Sequence, residues 1–580
     1  MDVLCPQEAE REEIMAGPKA PKDPEKKRKS FFIMRNKEVA GSPQPDGKGV
    51  QTIYLNDSRM VSFARITGGI TDEEILGLLP SAEGFRSLVY SIGVTVETDT
   101  PTETVEFVMQ MYGKSDPYRS GTVFQVPVQA DGMEKVIKLD EVEWSDDDSV
   151  PGQMRFAFEK AGTLAKVSVR LYLQDGFDVP EPEEEGEIDL GCPEYGQMLE
   201  KSLVQTGNTL RLKRVIERAK KGEDVTVAFI GGSITQGAGA IPINTQCYAY
   251  KAFEGFCKLA GKGTEENIHY VKAGVGGTSS ELGMVRYQRD VCSEGKVKPD
   301  LVVVEFAVND EGDETKGESY DSLVNKIWLS EQQPAVVLLF SVFSDDYNLQ
   351  DRLGKVGIAY ELPMVSVKDC VVEQFYKKAG QGRVFSKAQF FYDVYHPSNL
   401  GHTVMADCLV QLFRTVDGLP GDGTEPDLRE IPAPYGREFA GVRLLDRANV
   451  PEGVRIDCGD FTEADKELQA VERNLDLKLT PQFPDNWMHV SGTRPFTIDI
   501  VCSALLIVEK DSADPNFGIA EVTVDGEKVR SINPREVGWN HCNSLICFRG
   551  KEKKEHHVEI AMQAGDEDKQ FTILGFGYVD

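Results

Sequence analysis

The sequence lacks the features of a membrane protein and of a general nucleic-acid binder. Its longest apolar runs, such as AVVLLF at 335–340, fall far short of the ~18 residues that span a bilayer. Its 64 Lys and Arg are outnumbered by 95 Asp and Glu, which gives a net charge of −31. Such a surface repels phosphate backbones. We therefore expect neither a membrane nor a nucleic acid among its partners.

Patterns typical of export and of metal binding are also missing. The first residues, MDVLCPQEAEREEIMAG, carry Glu where a secretory signal has an apolar core. The 11 cysteines are odd in number and scattered, with no C-x-x-C pair and no Cys/His ligand spacing. We therefore expect reduced thiols, a cytoplasmic location and no bound metal.

The chain is long enough for several domains, and its first third has the pattern of β-structure. Residues 1–45 are rich in Lys, Glu, Pro and Gly and predict a flexible N-terminal arm. Its basic run KKRK is interpreted as a solvated charge patch rather than a nuclear signal. Residues 46–178 contain short alternating runs separated by turns, which predict an antiparallel β-sandwich. The acidic stretch 179–196 predicts a linker.

The middle of the chain, residues 197–416, has a different pattern. Nearly continuous apolar runs, such as VTVAFI at 225–230 and LVVVEF at 301–306, are typical of strands buried on both faces. Helical stretches lie between them, and this alternation predicts a doubly wound α/β domain with a parallel sheet. Alternating strands return in residues 432–580, which predict a second, jelly-roll-like β-sandwich.

Four blocks with chemically useful side chains follow one another through the α/β region. They are GGSITQG at 231–237, KAGVGGTSS at 272–280, VEFAVND at 304–310 and DVYHPSNLGH at 393–402. Ligands bind at the carboxyl ends of strands in open α/β sheets, so a serine after a strand can present its hydroxyl to a cleft. The first block has neither the Walker lysine nor a G-x-G-x-x-G pattern. We therefore expect no nucleotide and no other cofactor.

These blocks resemble those of the SGNH (GDSL-type) hydrolases, which carry Ser, Gly, Asn and His in this order and spacing. The resemblance covers about residues 200–415 and implies a flavodoxin-like three-layer α/β/α sandwich that hydrolyses esters. Two positions depart from the family pattern: Lys272 stands where the second block usually begins with Asn, and Ala307 where the third usually has Gly. Neither replaces a catalytic atom, and both indicate a divergent branch.

The resemblance implies a role for each matching residue. Ser233 occupies the position of the nucleophile, His396 that of the general base, and Asp393 that of the carboxylate that orients the base. A hydroxyl needs such a base because it is a poor nucleophile until its proton is removed. The backbone N–H groups of Ser233 and Gly277 and the side-chain amide of Asn309 occupy the oxyanion-hole positions.

Other interpretations of these residues are structural. Ser233 taken alone is more typical of a helix N-cap, and only the presence of His396, Asp393 and Asn309 favours the nucleophile. His402 is interpreted as a structural residue in or before the last helix, and Asp310 as the residue that fixes the loop after the third block. Glu305 lies on a buried strand and needs a partner, because a buried carboxylate is costly without one.

The substrate is predicted from the polar surroundings and from a narrower resemblance. The sequence shows no long apolar lid, which argues against a lipid. An SGNH core fused to jelly-roll-like modules resembles microbial carbohydrate esterases, which remove acetyl groups from plant polysaccharides or their oligosaccharides. Trp487, Trp539 and His541 are candidate sugar contacts in the C-terminal module, although such tryptophans are more often core residues. The negative charge favours mannan or xylan over polyanionic pectin fragments.

The sequence therefore predicts a metal-independent serine esterase with a Ser-His-Asp mechanism, acting on acetylated oligosaccharides of mannan or xylan type. Two alternatives stay open. The same core could serve as an esterase or thioesterase for lipid or acyl substrates, or the chain could be a non-catalytic carbohydrate-binding scaffold. The sequence leaves open which sugar and acetyl position are used, whether the chain forms a homo-oligomer, and whether either β-sandwich contacts the active site.

Overall fold

The computed structural model describes residues 28–44, 49–55, 59–261, 266–421, 424–467 and 479–580. These residues form two compact units. The first unit contains the described residues up to Leu190 together with the segment Gln374–Gly401. The second unit contains Gly191–Glu373 and the described residues from His402 onward. The segment Gln374–Gly401 thus packs with residues that are far from it in the sequence.

The N-terminal part is built from strands and three short helices. Its elements are β1 (Ser30–Ala40), β2 (Ser42–Pro43), β3 (Val50–Leu55), α1 (Met60–Ile66), α2 (Glu73–Leu78), α3 (Ala82–Leu88), β4 (Val89–Thr98), β5 (Thr104–Gly113), β6 (Val123–Gln129), β7 (Lys135–Lys138), β8 (Asp148–Phe158) and β9 (Leu164–Leu173). They form two antiparallel sheets, with the strand orders β1-β9-β4-β7 and β2-β3-β8-β5-β6. Apolar side chains from both sheets and from α1–α3 share one core.

The first strand begins earlier than the sequence pattern indicates. β1 starts at Ser30, inside the range 1–45 that predicts a flexible arm. Phe31 and Ile33 are buried in the N-terminal core, and their burial favours a paired strand over a loose segment. Residues 1–27, with the first two lysines of the KKRK run, lie outside the described residues.

The acidic stretch 179–196 lies against the N-terminal sheet for part of its length. Val179 is buried, and Arg35 of β1 donates a 2.6 Å hydrogen bond to the carbonyl oxygen of Glu183. The stretch ends in a helix that begins at Pro193. The predicted linker therefore contacts the N-terminal sheet at its beginning and runs into a helix at its end, although its composition is that of a solvated segment.

The central part alternates strands and helices. Its elements are α4 (Pro193–Lys201), β10 (Leu203–Gln205), α5 (Leu210–Lys221), β11 (Val225–Gly231), α6 (Ser233–Gln236), α7 (Ile243–Gln246), α8 (Tyr248–Ala260), β12 (Ile268–Gly274), α9 (Ser280–Asp290), β13 (Leu301–Glu305), α10 (Glu318–Trp328), β14 (Ala335–Phe340), α11 (Gln350–Ala359), β15 (Met364–Ser366), α12 (Val367–Phe375), α13 (Lys387–Phe390) and α14 (Asn399–Gly418). The sheet order is β10-β15-β14-β13-β11-β12, with β10 antiparallel at the edge and the other strands parallel.

The parallel strands β11–β15 follow the order 2-1-3-4-5 of flavodoxin-like doubly wound sheets, whose switch point falls between β11 and β13. Helices pack on both faces of this sheet. Ala228 and Ile230 of β11 share a core with α9, α10 and α11, whereas Phe229 packs edge-on against Tyr248 of α8. Successive side chains of a strand point to opposite faces, so the apolar runs of the sequence fill both.

The strands of the C-terminal part pair into one hydrogen-bonded sheet, and the sandwich predicted for this part stays a prediction. Its strands are β16 (Val442–Leu445), β17 (Arg455–Asp457), β18 (Trp487–His489), β19 (Phe496–Asp511), β20 (Ala520–Val524), β21 (Glu527–Ile532), β22 (His541–Met562) and β23 (Phe571–Val579). They build one eight-stranded antiparallel sheet. The sheet is continuous because β19, with 16 residues, and β22, with 22, pair along nearly all of β19.

The two faces of this sheet bury different cores. On β19, Leu506 and Val508 belong to the core that contains α9 and α10 of the central part. Leu505 and Ile507 point to the other face and belong to a separate core within the C-terminal part. One face of the C-terminal sheet therefore contributes side chains to the same core as the parallel sheet, within the second unit.

Within the described ranges, no helix is long and apolar enough to cross a membrane. No two cysteines of these ranges form a disulfide. The same residues contain no group of three or more His, Cys, Asp or Glu side chains that could hold a metal ion.

Candidate active site

Ser233 lies on a sharp turn between a strand and a one-turn helix. β11 ends at Gly231, and α6 begins at Ser233. The N–H of Gln236 donates to the carbonyl of Gly232, and the N–H of Gly237 donates to that of Ser233, both at 2.9 Å. The turn holds the serine at the carboxyl end of the strand, with 8 % of its surface exposed.

Asn309 approaches this turn from the neighbouring strand. It follows β13, and its N–H donates to the carbonyl of Phe306 at 3.0 Å. A Cβ on Gly232 would lie 2.2 Å from Asn309 Oδ1, so only glycine leaves room for the amide beside Ser233. The buried Oδ1 of Asn309 has no hydrogen-bond partner among the described residues. β11 and β13 flank the switch point, where ligands bind in such sheets.

The loop after β12 meets the same turn. The N–H of Val275 donates to the carbonyl of Gly231 at 3.1 Å, and a Cβ on Gly274 would lie 2.0 Å from Gln236 N. Gly277 lies two residues beyond Val275, with a φ of +73° in the left-handed region that favours glycine. The structure therefore brings the loops of Ser233, Gly277 and Asn309 together in the second unit.

Two residues of the C-terminal part cover Gly277. A Cβ on Gly277 would lie 2.4 Å from Trp539 Cη2 and 2.9 Å from His541 Cδ2. His541 Nε2 lies 2.9 Å from the Gly277 carbonyl oxygen, and Nδ1 lies 2.8 Å from Asp511 Oδ2. Trp539 is 39 % exposed, and its ring centroid is 4.8 Å from that of His541. The C-terminal sheet thus contributes an exposed aromatic ring to this cluster.

The third candidate sugar contact, Trp487, lies elsewhere. Its side chain is 2 % exposed and packs against Phe496 and Phe576 in the core of the C-terminal sheet. A ring enclosed in this way cannot contact a sugar, so the structure corrects this assignment: Trp487 is a core residue. The sequence does not separate the two tryptophans, because both stand among polar neighbours.

Asp310, next to Asn309, fixes the start of α9. Its carboxylate accepts hydrogen bonds from the N–H and the hydroxyl of Ser280, at 2.7 and 2.8 Å. Burial raises the pKa of Asp310 to about 8, and the nearby carboxylate of Asp313 adds to this effect. The structural role expected for Asp310 agrees with these contacts, since they join the loop after β13 to the one after β12.

Lys272 of β12, which stands where the SGNH pattern has Asn, contacts α6 and the segment that follows it. Its buried Nζ donates to the carbonyl oxygen of Gln236 at 2.7 Å and to Asn244 Oδ1 at 2.6 Å. The lysine side chain therefore supports the last carbonyl of α6. His402 is also structural: it is buried, Nδ1 accepts from the N–H of Tyr248 at 3.1 Å, and Nε2 lies 3.0 Å from the carbonyl of Ala238.

Asp393 and His396 lie in the first unit, on a loop closed by its own backbone. The N–H of Tyr392 donates to the carbonyl of His396 at 2.8 Å, and Phe391 and Pro397 form an isolated β-bridge. Asp393 Oδ1 accepts from the backbone N–H groups of Tyr395 and His396, both at 2.8 Å. The Asp-x-x-His spacing thus makes a tight turn capped by its own carboxylate.

The same turn directs the Asp393 carboxylate to the imidazole. Oδ2 lies 2.9 Å from His396 Nδ1, and the two side chains are each 14 % exposed. Burial raises the pKa of Asp393, but the charge of His396 and the hydrogen bonds of the turn outweigh it and hold the pKa below its ordinary value. An ionised carboxylate at Nδ1 fixes the orientation and the tautomer of an imidazole ring.

Comparison with known proteins gives matches among solved structures alone. No protein-family model matches the chain, and no curated protein does. The crystal structure of a two-domain esterase active on acetylated mannans matches with 26% identity and a TM-score of 0.56, covering 66% of this chain and 99% of that chain. Its co-crystal with mannopentaose matches with 26% identity and a TM-score of 0.55, covering 66% and 98%. The predicted resemblance to carbohydrate esterases is confirmed.

Proposed function

We propose that the chain is a serine carbohydrate esterase whose central SGNH-type domain removes O-acetyl groups from mannan- or xylan-type oligosaccharides. The observation that carries the proposal is the position of Ser233, on a strand-to-helix turn at the switch point with the Asn309 amide against it. The 26% identity to an esterase active on acetylated mannans supports this chemistry and favours mannan.

In the proposed reaction, His396 removes the proton of the Ser233 hydroxyl, and the oxygen attacks the acetyl carbonyl. The C–O bond to the sugar then breaks, and His396 returns the proton to the departing sugar oxygen. A water molecule, deprotonated by His396, attacks the acetyl-enzyme and releases acetate and free Ser233. Asp393 keeps Nδ1 protonated and stabilises the imidazolium that forms in each step.

The tetrahedral oxygen of each intermediate would be held by the N–H groups of Ser233 and Gly277 and by the side-chain amide of Asn309. The positive φ of Gly277 orients its N–H differently from that of a residue in an extended strand. Donors fixed by the fold need no reorganisation when the charge develops, which is why they lower the barrier. This chemistry requires neither metal nor cofactor, so we expect a chelator to leave the rate unchanged.

The exposed ring of Trp539 is the proposed platform for the sugar, because aromatic faces pack against the apolar faces of sugar rings. His541 also borders this surface, but both of its ring nitrogens are engaged by Asp511 and Gly277. A sugar could therefore contact the ring of His541 but would have to displace an existing hydrogen bond to reach its nitrogens.

Acetate release from acetylated manno- and xylo-oligosaccharides tests the proposal. Ser233→Ala should lower the rate by about 10⁴-fold or more, because the nucleophile is lost. Ser330→Ala is the matched control: this serine follows α10, its hydroxyl donates to the carbonyl of Ile327 at 2.8 Å, and its loss should leave the rate unchanged. Equal rates for Ser233→Ala and the parent would overturn the proposal.

Two further measurements separate the alternatives. Faster hydrolysis of octanoyl than of acetyl p-nitrophenyl ester would favour a lipid or acyl substrate. Failure of a fluorophosphonate to label Ser233, with no hydrolysis of any ester, would favour a carbohydrate-binding scaffold.

A further inference from the structure

A lysine of the first strand caps the helix that leads into the Asp393–His396 loop. Lys37 of β1 is 4 % exposed, and its Nζ donates to the carbonyl oxygens of Ala388 and Phe391. These carbonyls belong to the end of α13, where a helix has no backbone donors of its own for them. Lys37 thus supplies, from a strand 351 residues away, donors that the loop needs.

A tyrosine of the second sheet holds the next part of the same loop. The hydroxyl of Tyr54 in β3 donates a 2.8 Å hydrogen bond to the carbonyl oxygen of Tyr392, the residue before Asp393. The ring of Tyr54 is 8 % exposed and its centroid lies 5.4 Å from that of Tyr392 in an edge-on arrangement. One donor from each N-terminal sheet therefore fixes the backbone of the loop just before the carboxylate.

Both donors stand at irregularities of their strands. In the β1–β9 pairing, Met34 is opposite Val169 and Lys37 is opposite Val167, so β1 contains an extra residue just before Lys37. In the β3–β8 pairing, the extra residue is Tyr54 itself. β-Bulges turn side chains away from the regular alternation and are over-represented next to active sites.

We propose that the N-terminal β-domain is a positioning element for the general base: Lys37 and Tyr54 hold the loop that orients Asp393 and His396. The inference rests on the proposed function, since it requires His396 to act as the base.

The contacts of Lys37 persist when its charge is lost. Burial lowers the pKa of Lys37 to about 8, although the negative charges of Glu185 and Asp393 raise it. A neutral amine keeps two N–H groups, one for each carbonyl that it reaches. The hold on the loop therefore does not require a charged lysine, and it extends to alkaline pH.

The test uses the full-length chain with Tyr54→Phe and Lys37→Met, and the hydrolysis of an acetylated oligosaccharide as the readout. We expect kcat to fall about tenfold for Tyr54→Phe and up to about a hundredfold for Lys37→Met, with KM unchanged, because a misplaced base slows chemistry without weakening substrate binding. If Tyr54→Phe is fully folded and its kcat is unchanged, the proposal is overturned.

Two control variants remove a tyrosine hydroxyl and a lysine amine at other positions of the chain. Tyr172→Phe deletes a hydroxyl that donates to Glu134 Oε2 at 2.7 Å in the same unit. Lys326→Met deletes a half-buried lysine that donates to the carbonyls of Met284 and Val442 in the second unit. Both controls should keep kcat within about twofold of the parent. A fall in kcat that is seen only for Tyr54→Phe and Lys37→Met then shows that these two side chains position the loop.

A double-variant cycle separates positioning from general loosening. Once His396→Ala has removed the base, Tyr54→Phe should not lower the residual hydrolysis of p-nitrophenyl acetate any further. An equal loss with and without His396 would show that Tyr54 acts on the fold alone and would overturn the proposal. Retained activity of Ser233→Ala, by contrast, would remove the proposed function itself, whatever the result at Tyr54.

Discussion

The hydroxyl of Thr235 donates a 3.1 Å hydrogen bond to Glu305 Oε2, which ties the residue two positions after Ser233 to the end of strand β13. The other carboxylate oxygen, Oε1, accepts from the hydroxyl of Ser341, just beyond β14. Thr235 also bonds the Tyr248 hydroxyl at 2.7 Å. The fully buried carboxylate of Glu305 therefore joins the ends of three strands close to the candidate nucleophile. The hydroxyls of Thr235 and Ser341 are the partners of Glu305 that the sequence leaves unnamed.

The first prediction concerns Glu305 and pH. Burial raises the pKa of Glu305 to about 7, although the hydrogen bonds from the hydroxyls of Ser341 and Thr235 lower it. The folded state then binds the proton more tightly than the unfolded state, so this stabilising contribution is complete below pH ~4.5 and is lost as pH rises through about 7. Glu305→Gln cannot ionise, so relative to the parent it should gain about 3 kcal/mol between pH 5 and pH 8.

Urea denaturation of the two proteins at both pH values measures this difference. Glu311→Gln is the control, because Glu311 is exposed and its pKa is lowered by the Tyr347 hydroxyl. The control should show no relative gain at pH 8. A parallel pH dependence for Glu305→Gln and the parent would contradict the assignment of the titrating group.

The second prediction concerns the amide of Asn309. Asn309→Ala should lower kcat about 10²–10³-fold, the usual effect of losing one oxyanion donor, with a small change in KM. Asn267→Ala is the matched control, since this amide donates to the carbonyls of Ala219 and Glu223 before the start of β12, at the amino end of the sheet. Steady-state kinetics of acetate release compare the two. Similar kcat values for both variants would argue against a role of Asn309 in the transition state.

The parallel sheet and the places of Ser233 and Asn309 are readable in the sequence because they depend on local order. A buried strand is a continuous apolar run, and a residue that follows such a run in a parallel sheet lies at the ligand-binding edge. The partners of Glu305 are not readable in this way, because Thr235 and Ser341 come from two other strand ends. Small hydroxyl residues at such positions carry no distinguishing pattern.

The attachment of the Asp393–His396 loop to the N-terminal sheets is also hidden in the sequence. Segment Gln374–Gly401 lies within the range 197–416 that predicts one catalytic domain, yet it packs with the first unit. Its contacts depend on Lys37 and Tyr54, which stand at bulges that no periodicity reveals. A lysine between polar neighbours in a strand has the pattern of a solvated residue, whereas here it is buried against backbone carbonyls.

The third prediction separates backbone strain from contact at Gly277. Gly277→Ala should lower both stability and kcat, because φ is +73° and the added Cβ would lie 2.4 Å from Trp539. Gly295→Ala is the control: its φ is +83°, but the added Cβ would meet nothing within 4 Å. We expect the control to lose only about 1 kcal/mol, the cost of the left-handed backbone, and to keep its activity.

Thermal unfolding and acetate release are measured on the same preparations of these two variants. If Gly277→Ala loses no more stability and no more activity than Gly295→Ala, the close packing of Trp539 on this loop does not matter for either property.

The last prediction uses the exposed ring of Trp539 to test the sugar platform. Trp539→Ala should raise KM for acetylated oligosaccharides about tenfold, which corresponds to roughly 1.4 kcal/mol of lost binding. Its kcat/KM for p-nitrophenyl acetate should change little, because that small ester carries no sugar to stack on the ring. Val537→Ala removes a side chain from the same loop that is as exposed as Trp539, 39 % in both cases, and should leave both substrates unaffected. An equal loss on the oligosaccharide and on the small ester would show that Trp539 acts through Gly277 rather than through the sugar.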